Sequence, residues 1–342
     1  MRLIKILGSL KLAIYLLLVL AVLSIMGTVI VQGKPGVFYA QVYGNTLGGM
    51  IIFFGADNFY ASAAYRSVLF LLGLNLLSCT INTFSPAVFK SRKRCALFLL
   101  HSSVLLIFTG ALVSRFTRYS EHRRLFPHDK IELIREKDNV QIVLQEFNID
   151  FYPGSDNPSE YYSKVSVSEK GKHIRDEIIR VNHPLRVKGY SLYQSGFDVF
   201  ADVDLAISHM GQVVWEGSIK QGETKKIPGA FDFDIEIVNF SPDVAITAEG
   251  KLIQNSYKLQ NPALQVKLSQ GEEFSEEYWV FKDEQMNKMH GHAQAFDFKI
   301  QRLEIFYATI LHIVKDPGLI FVWSGFLLLI SGMGLFLFKK ED

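Results

Sequence analysis

The sequence predicts a membrane protein of four transmembrane helices with one extracytoplasmic all-β domain, antiparallel and sandwich-like, between helices three and four. Three observations carry that expectation. Four apolar stretches are each long enough for a helix to cross the roughly 30 Å hydrocarbon layer. Between the third and fourth lies a polar stretch rich in Val, Ile, Phe and Tyr, in short alternating runs broken by turn residues. The composition of the 342 residues, 49% hydrophobic and 20% charged, is too apolar for an ordinary soluble protein and too charged for a membrane bundle alone. The formal net charge of +2 offers no basic excess to a nucleic acid.

The first 11 residues carry Arg2, Lys5 and Lys11, and an almost unbroken apolar run follows at 12–31. That run is longer than a signal-peptide core and no small-residue cleavage site follows closely, so it is expected as a retained helix. Residues 32–65 are expected as a loop, within which GGMIIFF is too short to span and reads as interfacial. A second helix is expected at about 67–84, stopped by Ser85 and Pro86. Lys90, Arg92, Lys93 and Arg94 form a basic loop before the third helix, expected at about 96–113. The fourth follows the turn KDPG, at about 319–338, and ends in KKED. The chain therefore divides into a membrane region at 1–115, a β domain at 116–316 and a final helix with its tail at 317–342. Short loops rich in Lys and Arg face the cytoplasm. By that rule both termini are cytoplasmic and the β domain is extracytoplasmic. Arg115, Arg118, Arg123 and Arg124 on the far side precede a long domain, whose translocation is largely indifferent to charge.

Within 116–316 the segments VQIVLQEF, FNIDFY, YSKVSVSE, SLYQSGF, DVDLAIS, QVVWEGSI, FDFDIEIVNF, ALQVKLS, YWVFK and AFDFKIQRL read as strands. EKGK and HMGQ read as hairpin turns, and EEFSEEYW as a solvated edge. Cys79 and Cys95 lie in or beside apolar runs, so the β domain holds no disulfide, and neither CxxC nor CxxCH occurs. No phosphate loop, nucleophile elbow or carboxylate pair is present, and no catalytic residue is expected.

The residue that stands out is His101. It lies six positions past Cys95, on the order of 9 Å inside the basic end of an apolar helix. An ionisable group at that depth needs a partner or a function. Either a neutral imidazole bonds to a carbonyl or hydroxyl of a neighbouring helix, or it ligates a metal or haem, with Ser102, Ser103 and Thr109 placed to orient it. Met286, Met289, His290 and His292 in MNKMHGH are soft and borderline ligands suited to copper or haem iron, or a solvated loop. His122, His128, His173, His209 and His312 have no spacing that singles them out. In RVNHPLRVKGYSLYQSGF, Pro184 holds His183 extended, Gly189 permits a turn, and Tyr190, Tyr193 and Phe197 are expected to pack the sheet.

Several of these stretches, in this order, resemble the ResB family of the two-component system, System II, for cytochrome c synthesis. They are LGSLKLAIYLLLVLAVLSIMGTVI, DNFYASAAYRSVLFLLGLNLLSCT, HSSVLLIFTGALV, EFNIDFYPG, RVNHPLRVKGYSLYQSGF, NPAL at 261–264 and VKDPGLIFVWSGFLLLISGMGLFLF. The resemblance implies a multi-pass protein of the inner membrane. It implies that, with a ResC/CcsA-type partner, the chain carries haem outward and presents it to apocytochrome c, and that His101 is a haem axial ligand near the cytoplasmic side. It also implies that the partner supplies the tryptophan-rich haem-handling motif, since this chain has only the scattered Trp215, Trp279 and Trp323. The outer domain is shorter than in many ResB proteins. The competing expectation is a membrane-anchored sensory or scaffolding protein whose β domain binds a partner without haem.

Overall fold

The structure, a computed structural model, describes residues 6–83, 90–133, 139–227, 233–247, 250–271, 274–283, 285–287 and 296–337. The chain forms two compact units: Met1–Arg118 with Asp316–Asp342, and Tyr119–Lys315.

The first unit is helical: α1 (Leu10–Val29), α2 (Gly36–Phe53), α3 (Ala63–Thr83), α4 (Arg92–Thr117) and α5 (Leu319–Leu337), with a 3-10 turn at Ala56–Ala61 before α3. Among the described residues, four segments are long and apolar enough to cross a membrane: Leu10–Val29, Gly36–Asn82, Arg92–Thr117 and Leu319–Leu337. The expected loop at 32–65 is therefore corrected, because α2 and the 3-10 turn occupy most of it. Gln41, Asn45 and the glycines hide α2 from a hydropathy reading. Gly44, at φ 81°, breaks the helix in two, and the second half returns so that a Cβ on Gly48 would stand 2.6 Å from the Tyr39 carbonyl oxygen. GGMIIFF belongs to that second half and is helical up to Phe53, with Phe54 as the C-cap. Polar side chains fasten the segment to the end of α1: Gln32 accepts from the Phe59 N–H at 2.7 Å and donates to the Ala56 carbonyl at 3.0 Å.

Helices α4 and α5 run antiparallel along a seam of small residues. Gly110 meets Val322, Gly325 meets Ser103 and Ile107, and Gly332 meets Leu100; a Cβ at Gly325 would come within 2.6 Å of Ile107 Cγ1. On α4 the contacts fall at 100, 103, 107, 110 and 114, one helix face. Gly318, just before α5, and Gly325 and Gly332 on it recur every seven residues, the close-approach pattern of helices in lipid. Arg92 Nε closes the far end by donating to the Leu335 carbonyl at 2.9 Å.

The second unit is all-β, and its organising pair is β7 (Tyr190–His209) with β15 (Asp297–Lys315), antiparallel along nearly their whole length. They form a five-stranded sheet with β1 (Tyr119–Leu125), β6 (Leu185–Val187) and β8 (Gln212–Lys220). Two four-stranded sheets cover one face of it in tandem. The first holds β2 (Lys130–Leu133), β3 (Val140–Phe151), β4 (Pro158–Glu169) and β5 (Lys172–Arg180). It buries Ile142, Leu144, Val165 and Ile179 against Leu192, Leu311 and Ile313. The second holds β9 (Thr224–Ile227), β10 (Phe233–Ser241), β13 (Ala263–Gln270) and β14 (Phe274–Phe281). It buries Ile235, Ile237, Leu264 and Val266 against Val203, Leu205 and Ile219. A small hairpin of β11 (Val244–Ile246) and β12 (Leu252–Gln254) completes the unit.

The expected sandwich is thus two sandwiches sharing one sheet. A β-bulge makes the sharing possible. Gln194 stands opposite Leu311 but Gly196 opposite Ile310, so Ser195 is an extra residue. The extra residue turns inward-facing 190, 192 and 194 into inward-facing 201, 203, 205 and 207, which keeps both cores on the same face. SLYQSGF and DVDLAIS, read as separate strands, are one. EKGK and HMGQ are hairpin turns with Lys170, Gly171, Met210 and Gly211 all at positive φ, and Lys188 and Gly189 make a third of the same kind. The solvated edge in EEFSEEYW holds for Ser275, Glu276 and Glu277, exposed on the edge strand β14.

Candidate functional site

At about 100° per residue, the α4 face that packs on α5 leaves His101 roughly 140° away from the seam. Its imidazole is half-buried and, among the described residues, has no hydrogen-bond partner. Ser103 is fully buried and bonds to the Leu100 carbonyl at 2.7 Å, while Thr109 bonds to the Leu105 carbonyl at 2.9 Å. Both hydroxyls therefore serve their own helix rather than His101.

Residues four and seven positions from His101 share its face. Leu97 is exposed beside it, and Arg94 is exposed one heptad nearer the N-terminus of α4. Phe108 lies one heptad the other way, where a Cβ on Gly73 of α3 would stand 3.3 Å from its ring. The arrangement is a column of guanidinium, imidazole and aromatic ring with apolar neighbours. Such a column suits a flat apolar molecule that carries carboxylates at one end and an open metal position at its centre. Cys95 is about 120° around the helix from His101, so the two do not face a common ligand. Neither Cys79 nor Cys95 is in a disulfide, and both are half-buried.

Tyr190 is core, as expected from the motif that contains it, and Leu192 is core beside it, but Tyr193 points outward at 39% exposure, a correction set by strand alternation. Phe197 packs among Phe147, Tyr161, Tyr257 and Tyr307. Burial raises the Tyr307 phenol above its ordinary pKa. Beside these rings Ser163, Gln194 and Thr309 form a buried polar knot between the two cores. Met286 packs against Val244, Ala263 and Phe281, and Met289, His290 and His292 lie outside the described residues. Among the described residues no group of three or more metal-ligating side chains gathers.

One pairing escapes any reading of the sequence. His122 of β1 stands directly opposite His312 of β15, with ring centroids 4.2 Å apart and an interplanar angle of 2°. No local spacing signals it, because the two residues meet only through the register of the first and last strands.

The ResB-like family model matches residues 10–96 and 90–341. The "Cytochrome c biogenesis protein Ccs1" of Rhodomonas salina is 25% identical over 99% of this chain and 88% of its own length. The "Cytochrome c biogenesis protein CcsB" of Prochlorococcus marinus (strain MIT 9301) is 24% identical over 95% of this chain and 86% of its own. Among solved structures, "Cytochrome c Heme Lyase CcmF" aligns with 95% of this chain and 40% of its own at 11% identity and a TM-score of 0.28, a superposition that supports no argument. With its apolar helices and its β unit both inside the matched ranges, the chain belongs to the ResB-like family.

Proposed function

We propose that the chain is a haem-handling subunit of a membrane complex for cytochrome c assembly, working with a ResC/CcsA-type partner to move haem across the inner membrane to apocytochrome c. The observation that carries the reading is His101, an imidazole in an apolar helix, turned off the α4–α5 seam and without a hydrogen-bond partner among the described residues. Haem is the cargo. The neutral imidazole nitrogen of His101 takes one axial position, Leu97 and Phe108 exclude water beside it, and Arg94 offers a guanidinium to a propionate carboxylate. Family membership and the names of the relatives support the assembly role. Both termini are cytoplasmic in this reading and the β unit is extracytoplasmic, with Lys90, Arg92, Lys93 and Arg94 on the inner side.

The test is His101→Ala in cells that carry the partner. The variant stays in the membrane at wild-type amount. Haem recovered with the complex and covalent c-type cytochromes both fall at least tenfold, b-type haem proteins persist, and external imidazole restores part of the loss. Wild-type haem content and cytochrome c maturation in the variant would remove the ligand role. Loss of neither haem nor cytochromes on deleting the whole chain would instead favour the sensory or scaffolding reading.

A further inference from the structure

We propose that His122 and His312 form a two-imidazole site for a borderline divalent transition-metal cation, Cu(II), Ni(II) or Zn(II), on the outer face of the five-stranded sheet. The two residues are direct cross-strand partners with stacked rings 4.2 Å apart. Side chains at such positions start from Cβ atoms about 5 Å apart on a backbone held by the ladder, so both rings reach one point in space. Metal–imidazole bonds of about 2.0–2.1 Å place two cis nitrogens roughly 3 Å apart. The stacked rings hold their in-plane lone pairs parallel, so each must turn to aim one nitrogen at the metal, a rotation that the broad terminal torsion of histidine accommodates.

Ser120, two residues before His122 on β1, holds His312 through Nε2 at 2.8 Å. An outer hydrogen bond of that kind orients a ligating imidazole. Tyr193, opposite His312 on β7, walls the other side with its ring centroid 6.3 Å away. Two ligands are fewer than the four of a closed structural site, so water or a partner group fills the remaining positions and the metal exchanges. Cu(II) heads the affinity order. The site clips β1 to β15, the strands through which the chain enters and leaves the β unit. Binding therefore stabilises that pairing by mass action, independently of haem.

The experiment is a Cu(II) titration of the full chain in detergent, stripped of metal, followed by electron paramagnetic resonance. One equivalent binds with superhyperfine coupling to two imidazole nitrogens. Zn(II) raises the unfolding midpoint of the β unit. His122→Ala and His312→Ala each remove the two-nitrogen pattern and weaken binding well over tenfold, and Ser120→Ala weakens it about tenfold. The metal-free midpoint of each variant matches wild type, because both rings lie on the outer face of the sheet and outside its cores, and the His290→Ala/His292→Ala double variant keeps the signal. Unchanged affinity in His122→Ala, or a signal that follows His290 and His292, overturns the proposal and leaves an adventitious ion only.

Discussion

The Ser114 hydroxyl donates to the Asp316 carboxylate at 2.6 Å, across 202 positions of sequence. The same carboxylate accepts from the Gly318 N–H at 3.0 Å, and the Asp316 carbonyl accepts from Leu319. Asp316 therefore caps the start of α5 while fastening it to the end of α4. Arg118 adds little, because its Nε is 4.0 Å away and its side chain is 51% exposed.

Asp316→Ala removes a cap worth about 1 kcal/mol and a charge-assisted hydrogen bond worth about 1.5–3 kcal/mol, so a net loss of about 2.5–4 kcal/mol is expected. Asp316→Asn keeps an acceptor for both donors and loses less than about 1.5 kcal/mol. Arg118→Ala is expected within about 0.5 kcal/mol of wild type. Thermal unfolding of the chain in detergent ranks the three. A more damaging Arg118→Ala than Asp316→Ala would show that the ion pair carries the contact.

Gly325 and Gly334 lie on the same helix and predict opposite signs. Ala for Gly in a helix gains about 1 kcal/mol in the absence of other contacts. At Gly334 nothing lies within 4 Å of an added Cβ, so Gly334→Ala keeps that gain. At Gly325 the Cβ meets Ile107 at 2.6 Å and the Ser103 carbonyl oxygen at 2.9 Å. A backbone atom cannot swing aside, and overpacking costs about 1–3 kcal/mol. Gly325→Ala is therefore expected to lower stability, and Gly325→Leu to separate α4 from α5 altogether. Disulfide trapping between cysteines placed along the seam reads the separation, and equal trapping in Gly325→Leu would refute the packing role.

The proposed topology has a structural test site at Gly171, at the tip of the β4–β5 hairpin with φ 77° and exposed. Surface turns of this kind accept inserted sequence. A phosphatase reporter inserted there is expected to be active, and the same reporter after Asp342 inactive. Activity at both positions, or at neither, would contradict four spans with cytoplasmic termini.

The sequence made the four apolar segments and most strands legible because their signals are local: unbroken hydropathy, period-two alternation and Lys-Gly or Met-Gly turns. What it concealed depends on long-range register. Helix α2 is interrupted at Gly44, so neither half looks like a helix in a hydropathy window. The second half of β15, EIFYATILHIVK, is apolar without alternation, because part of it lies between the two cores. His101 was visible as an ionisable residue in an apolar helix. Its direction away from α5 needed the glycine seam, and the His122–His312 stack needed the pairing of strands at opposite ends of the β unit.

The polar knot between the two β cores gives the last prediction. Ser163 donates to Gln194 Oε1 at 2.7 Å, Gln194 Nε2 donates to Thr309 Oγ1 at 2.8 Å, and the two hydroxyls lie 3.0 Å apart. Gln194 Nε2 also donates to the Gly196 carbonyl at 3.1 Å, beside the bulge. Every polar atom of the Gln194 side chain is thus engaged where the sheet passes from one core to the next. Gln194→Ala leaves a cavity and two buried hydroxyls short of partners, at a cost of about 2–4 kcal/mol. For a unit of about 200 residues that lowers the unfolding midpoint by roughly 4–16 °C. Replacing all three together, Ser163→Ala with Gln194→Leu and Thr309→Val, removes donors and acceptors at once and is expected to cost less than Gln194→Ala alone. If the triple variant is instead the sum of three single losses, the knot is holding the bulge open through its hydrogen bonds and not merely satisfying buried groups, and the register of β7 against β15 depends on it.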